Sequence, residues 1–325
     1  MGMNILVLGA GASAHYDFPL AYEIVQRVRR GTDSMKARAA DFRIHPRSYD
    51  EFVDRLLKSG CTSIDQFADY LDKPDDIFLA KALIAYHLGI FENRASLSQK
   101  MGGGHWYELL ANHLIGATLD TFPQRDIGII TFNYERSLEQ YLIDCLTSRF
   151  EGRNSPEQIR AAFLRLPIIH IYGRTGYLPG FASGFGPGFS RGFGPGALTE
   201  RPYEPVMDHT QLQAAIAEIH ILRELRDDPK RGEREAARKL LRDSNGVVSF
   251  LGFAYAQENL EALDLSNTCK ARTVHGTIFE IGQDERHTQL KARLKTFGVE
   301  LVDDWRFDVF EAVKTRPATI FGEPR

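Results

Sequence analysis

A doubly wound α/β fold is the architecture this sequence predicts, and three observations predict it. Four short apolar runs end in small or polar residues: Asn4–Leu8, Ile127–Phe132, Pro167–Tyr172 and Gly246–Leu251. Helical patterns separate them along the chain. The first run opens at once into a turn of small residues only, Gly9-Ala10-Gly11-Ala12-Ser13. Continuous apolar runs suit strands buried on both faces of a parallel sheet. Their alternation with helices is that of a sheet covered on both sides.

The elements follow in order. After the small-residue turn the pattern predicts a helix over Leu20–Arg29. About ninety residues without a strong strand come next. Ser48–Lys58, Ile64–Leu71, Asp75–Arg94 and His105–Leu119 read there as helices, with Asp75-Asp76 suited to a helix start. They predict a helical subdomain, inserted at about 45–120, over the edge where such sheets bind ligands. Further helices are expected at Glu135–Leu146, His209–Leu225, Gln257–Leu263 and Asp284–Thr296. Thr273–Ile281 and Gly298–Val302 supply a fifth and a sixth strand. Residues 1–313 thus read as one domain, with Lys314–Arg325 as a tail. Gly176–Pro205 repeats Gly, Phe and Pro too densely for helix or strand. It reads as a lid, a contact to another subunit or a variable surface insertion.

Composition narrows the classes. The 40 Lys and Arg nearly balance the 43 Asp and Glu, so no global pull toward nucleic acid exists. The dense charge run Arg223–Arg242 reads as solvated helix faces. Cys61, Cys145 and Cys269 form no CxxC pair, which argues against a cysteine zinc site and a disulfide framework. His15, His45, His87, His105, His113 and His275 follow no metal spacing, and no metal is expected. No run of about 18 apolar residues suggests a membrane span, and a cytoplasmic soluble protein is expected.

The polar residues gather at one predicted edge. Gly9 and Gly11 would let the backbone approach a phosphate closely, and Ser13 would cap a helix or bind the phosphate. Asn133 stands where the second run stops, as a helix cap or a cleft residue. Glu135 follows it at a helix N-terminus, where carboxylates are favoured with or without a ligand. His170 and Tyr172 are two apart, which on a strand puts them on one face. The fourth run leads into Gly252, Phe253 and, past Tyr255, Asn259. Four such endings in series suggest a nucleotide cleft.

The ordered segments GAGAS, TFNYE, HIYG and FLGFAYAQENL resemble the sirtuin-like family, in its branch of bacterial NAD-consuming defence proteins. The resemblance spans Met3 to about Ile281, and Ile64-Asp65-Gln66-Phe67 looks like a segment of that family's helical insertion. It implies a Rossmann-like sheet, with Gly9, Ala10, Gly11, Ala12 and Ser13 as phosphate turn and Asn133 as catalytic asparagine. Gly252, Phe253 and Asn259 would face the adenosine half, and Glu135 stands where the family has Asp. Three departures are plain. Tyr172, not a histidine, directly precedes the glycine, and His170 lies two residues earlier. Asp17-Phe18-Pro19 replaces the glycine and arginine that follow the turn in deacetylases. The cysteine zinc ribbon of deacetylases is missing.

The implied chemistry is hydrolysis of NAD+ to nicotinamide and ADP-ribose, with NAD+ as substrate and no prosthetic group. Asn133 would orient a reactant, and His170 would serve as base or ribose ligand. Tyr172 is the alternate for that role as a hydrogen-bonding group, or a wall of the cleft. The resemblance further implies a defence effector triggered by a partner protein or self-assembly, through the Gly/Phe loop or residues 314–325. A non-catalytic NAD- or ADP-ribose-binding subunit and a scaffold are the rivals, with protein deacylation third.

Overall fold

The computed structural model describes residues 2–31, 35–101, 103–182, 199–206, 208–227, 232–269, 273–278, 284–305 and 308–322. Six strands form one sheet: β1 (Asn4–Leu8), β2 (Ile127–Thr131), β3 (Ile168–His170), β4 (Val248–Leu251), β5 (Thr273–Thr277) and β6 (Glu300–Trp305). Every neighbouring pair is parallel, in the order β3-β2-β1-β4-β5-β6. This is the Rossmann-like α/β order, in which the chain starts at the centre, builds one wing and crosses back to build the other. Strand β1 is buried along its whole length between β2 and β4, with Leu6 opposite Ile129 on one side and Ser249 on the other. That double burial explains why its sequence is a continuous apolar run. A crevice opens at the carboxyl ends of β1, β2 and β4, where the strand order reverses.

Between β1 and β2 the chain builds α1 (Ala21–Arg29), α2 (Pro46–Lys58), α3 (Ile64–Ala68), α4 (Pro74–Gly89), α5 (Arg94–Gln99) and α6 (Trp106–Leu114). Local chemistry sets these starts. The Ser63 hydroxyl accepts from Gln66 N (3.0 Å) at the head of α3, and Asn93 accepts from Ala95 N (2.9 Å) at the head of α5. Pro74 opens α4 with Asp75 and Asp76 in its first turn. Apolar on nearly all sides, α4 forms the centre of the inserted subdomain.

The rest of the first wing and then the second wing follow. Helices α7 (Ser137–Phe150) and α8 (Pro156–Phe163) connect β2 to β3. Then come α9 (His209–Ala217), α10 (Leu222–Asp227) and α11 (Gly232–Asp243) before β4. Past β4 lie α12 (Gln257–Leu263), α13 (Leu265–Thr268), α14 (Asp284–Thr296), α15 (Val309–Thr315) and α16 (Pro317–Phe321). No helix among the described residues is long and apolar enough to cross a membrane.

Several expectations need correction. Ser13 caps no α-helix, although the first α-helix lies where the sequence places it. Two 3-10 turns, Ala10–Ala12 and Ala14–Tyr16, intervene, and α1 begins only after Pro19. The single helix expected over His209–Leu225 is broken at Ile219, which bridges to Gly173, while His220 N donates to the Tyr172 carbonyl (2.8 Å). Residues 314–322 are no loose tail. Ile320 and Phe321 are buried, and the Asn4 amide donates to the Ile320 carbonyl (3.3 Å), so this segment seals the amino end of β1. The tip of the Gly/Phe loop, residues 183–198, lies outside the described residues, as do residues 279–281 of the expected fifth strand. The base of that loop is zipped: Tyr177 N donates to the Thr199 carbonyl (2.8 Å) and Arg201 N to the Tyr177 carbonyl (2.7 Å).

Candidate functional site

A cavity of about 380 Å³ occupies the crevice at the carboxyl ends of β1, β2 and β4. Its floor is Gly9, Ala10, Ser13 and the run Phe132–Glu135, and the insertion closes over it with Thr62–Gln66, Ile84 and Leu88. Tyr172, Phe253, Glu258 and Asn259 complete the wall. The size lies within the range of small-molecule sites, about 300–1,000 Å³.

The small-residue turn is built differently from a phosphate cradle. Gly9 N donates to Leu251 O (3.0 Å), Gly11 N to Gly252 O (3.0 Å), Ala12 N to Gly9 O (2.9 Å) and Ser13 N to Ala10 O (3.2 Å). Four of its five N–H groups are therefore spent on the protein. The glycines serve the crossing of two loops. A Cβ on Gly9 would stand 2.6 Å from the Gly252 carbonyl oxygen, and one on Gly252 would stand 2.1 Å from Ala12 N. Gly252 also sits at φ +59°, in the left-handed region that favours glycine. The close approach these glycines allow is thus between the β1 and β4 turns. Gly9, Ala10 and Ser13 line the cavity, whereas Gly11, Ala12 and Gly252 support it from behind.

Asn133 is the centre of the polar floor. It is 91% buried, and its side-chain nitrogen donates to Ser13 Oγ and to Glu135 Oε1, both at 3.3 Å. Its amide oxygen takes no hydrogen bond from the described residues and is left for a ligand. The other Glu135 oxygen accepts from Ser137 N (2.6 Å) at the head of α7, a bond favoured by the helix N-terminus. Burial raises the Glu135 pKa above the ordinary carboxyl value, and the Ser137 bonds offset only part of that rise. Asn133 and Glu135, proposed from sequence as cap or cleft residue, both line the cavity, and Glu135 also holds the head of α7 with one oxygen.

His170 does not reach the cavity. Its Nδ1 donates to the Asn133 carbonyl (2.8 Å), and its Nε2 lies 2.6 Å from Glu139 Oε1, with Arg174 3.6 Å from the same oxygen. With acceptors on both sides, one proton sits on Nδ1 and a second is shared between Nε2 and Glu139. Burial works to raise the Glu139 carboxyl, but the imidazole and Arg174 outweigh it and hold the carboxyl below its usual range. A ring with both nitrogens engaged has no lone pair for a substrate, so His170 supports Asn133 from behind. The expectation that His170 and Tyr172 share a face fails for a local reason. Strand β3 ends at His170, and the chain turns at Gly173 with φ +71°. Tyr172, past the strand end, swings into the cavity wall, where its hydroxyl bonds Asn259 Oδ1.

Asp65 is the functional candidate that sequence reasoning passed over. It projects from α3 into the cavity wall, and the Tyr134 hydroxyl donates to its Oδ1 (2.7 Å). Burial, with Asp69 nearby, pushes its carboxyl up to about 6 against the lowering effect of that bond. In the sequence it stands within the Ile64-Asp65-Gln66-Phe67 segment, but an acid in the first turn of a Ser-capped helix also reads as ordinary dipole compensation. Among the described residues, no group of three or more His, Cys, Asp or Glu could hold a metal ion.

Behind the floor lies a second polar group. Glu92 is fully buried and accepts from Arg136 Nε (3.0 Å) and from the Thr175 hydroxyl (2.6 Å), and it pairs with Arg201. Arg136 also donates to the Arg201 carbonyl (2.7 Å). Burial lowers both guanidinium pKa values to about 10. The cluster ties the insertion, the head of α7 and the chain after the Gly/Phe loop into one unit.

Compared with known proteins, the chain matches no family model and no curated protein.

Proposed function

We propose that this cleft binds NAD+ and hydrolyses its nicotinamide–ribose bond, as the resemblance to sirtuin-like proteins implies. One observation carries the reading: the unpartnered Asn133 amide oxygen beside the raised Glu135 carboxyl, both lining a small-molecule cavity at the sheet's switch point. In the reaction the C1′–N bond breaks with its electron pair going to the pyridinium nitrogen, which becomes neutral nicotinamide. Water bonds to C1′ of the oxocarbenium-like sugar and loses a proton. Asn133 holds the water or the carboxamide, and Glu135 takes the proton, aided by the rise that burial gives its pKa. His170 fixes the Asn133 backbone and is a positioning residue here, not the base. A role as a defence effector, with a partner protein or self-assembly as trigger, belongs to the same proposal.

The second reading is a non-catalytic NAD- or ADP-ribose-binding subunit. The seclusion of His170 favours it, because no imidazole faces the cavity. Nicotinamide release from NAD+ by wild type, Asn133→Ala and Glu135→Gln separates the two. Release by wild type that collapses in both variants supports the hydrolase. Calorimetric NAD+ binding without release supports the binding subunit, and neither binding nor release overturns both.

A further inference from the structure

The charge of the cleft specifies more about its ligand than the sheet topology does. Four carboxyl-bearing residues, Asp65, Asp69, Glu135 and Glu258, line it, and among the described residues no lysine or arginine does. Phe132 and Tyr172, with ring centroids 5.4 Å apart, place aromatic surface in the same wall. Carboxylates in a partly dry cavity favour a cation and oppose an anion, and aromatic surface attracts a flat cation. Asn133, a nine-tenths-buried residue of the same floor, adds its unpartnered amide oxygen as a further acceptor.

The turn that would hold a pyrophosphate gives the opposite signal. Gly9, Gly11, Ala12 and Ser13 commit their N–H groups to carbonyls of the protein itself. An anion there would meet a turn with one N–H left to offer, facing acidic walls.

We infer that the group this cleft selects is a cationic N-riboside, recognised through its nucleoside end, so that a pyridinium riboside without any phosphate is a ligand in its own right. The inference rests on the reading above in taking nicotinamide as the pyridinium. It also follows the charge through the reaction. As the C1′–N bond breaks, the positive charge leaves the ring nitrogen for C1′ and then departs as the proton of the attacking water. The same carboxylates face it before and after, and their attraction strengthens as the charge concentrates on the sugar.

Calorimetry on the full chain with nicotinamide riboside and with ADP-ribose tests this. The first keeps the cation and lacks phosphate; the second keeps the pyrophosphate and lacks the cation. Nicotinamide riboside is expected to bind at least about tenfold more tightly, and Asp65→Asn to weaken it about fivefold while leaving ADP-ribose unweakened. Tighter binding of ADP-ribose, or an equal loss for both ligands in Asp65→Asn, overturns the inference. A second measurement, nicotinamide release, keeps its fate apart from that of the hydrolase. Release from NAD+ with no binding of nicotinamide riboside leaves the hydrolase standing and overturns the cationic selectivity. Binding of nicotinamide riboside without release from it or from NAD+ does the reverse.

Discussion

Two polar clusters lie on either side of the short segment Phe132–Ser137, and they differ in one respect. Around Glu92, Arg136 and Arg201 one carboxylate is shared by two guanidinium groups, and the cluster's hydrogen bonds stay within the protein. Around Asn133, the amide bonds to Ser13 and Glu135 are long, an amide oxygen is left over, and a cavity adjoins. Neighbouring residues of one chain thus serve opposite ends: Glu135 turns to the cavity and Arg136 to the closed cluster. A buried network closed on the protein's own groups fixes geometry, whereas one with an acceptor left over beside a cavity has binding capacity in reserve. Burial alone would not have told them apart, since Asn133, Glu135 and Arg136 are all buried.

The comparison breaks most sharply at Glu92. Glu92→Ala leaves two guanidinium groups buried without their acid, which is expected to cost about 3–5 kcal/mol. Urea unfolding measures it, and a loss below about 1 kcal/mol would mean that the cluster contributes little to holding the fold. Asn133→Ala should behave in the opposite way. Only two 3.3 Å bonds are lost, so stability should fall by no more than about 1 kcal/mol. Nicotinamide release should fall about 100- to 1,000-fold if the amide orients the reacting groups. A variant that unfolds easily but keeps its turnover would reverse the two assignments.

Most of the strands could be read from the sequence, because a strand buried on both faces must be apolar throughout, as β1 and β2 are. The inserted helices were legible from their periodicity and from Pro74 with Asp75 and Asp76. What escaped was decided by distant partners. The break at Ile219 comes from bonds to Gly173 and Tyr172, which no local pattern in His209–Leu225 announces. The Glu92 cluster joins residues 44 and 65 positions apart, and a lone acid or arginine carries no mark of its partner. At the site, the edge and Asn133 were legible from strand endings. The direction of His170 was not, because it depends on where β3 stops and on Glu139 waiting on α7.

His170 sharpens the contrast, since it belongs to the closed network yet touches the open one. His170→Ala removes a buried ring and leaves Glu139 beside Arg174, at an expected cost of about 2–3 kcal/mol. Activity should fall about tenfold through displacement of Asn133, with the shape of the pH–rate profile unchanged and partial rescue by His170→Gln, whose amide can still donate to the Asn133 carbonyl. Loss of one limb of that profile in His170→Ala would instead make the ring the base. Gly252→Ala tests the crossing of the two turns. Its Cβ would fall 2.1 Å from Ala12 N at a left-handed backbone position, so a loss of about 2 kcal/mol is expected in thermal unfolding. A neutral result would mean that the β1 and β4 turns can separate at little cost.

The smallest effect expected is the pH dependence of the clasp between Asp65 and Tyr134, where the insertion meets the cavity floor. In the folded chain the Asp65 carboxyl is raised from 3.8 to about 6, mainly by burial. The native state therefore holds this proton more tightly than the unfolded chain does. Stability from this group rises as pH falls from 6 toward 4, and the cost of its charge is present in full above about pH 6. Asp65→Asn keeps an acceptor for the Tyr134 hydroxyl and has no charge to bury. Its Tm relative to wild type should be highest near pH 7.5 and drop by roughly 2–4 °C by pH 4.5, where wild type carries the proton. A difference that stays constant across that range would place the Asp65 carboxyl in contact with water, and the insertion would then cover the cavity less closely than the 2.7 Å bond to Tyr134 requires.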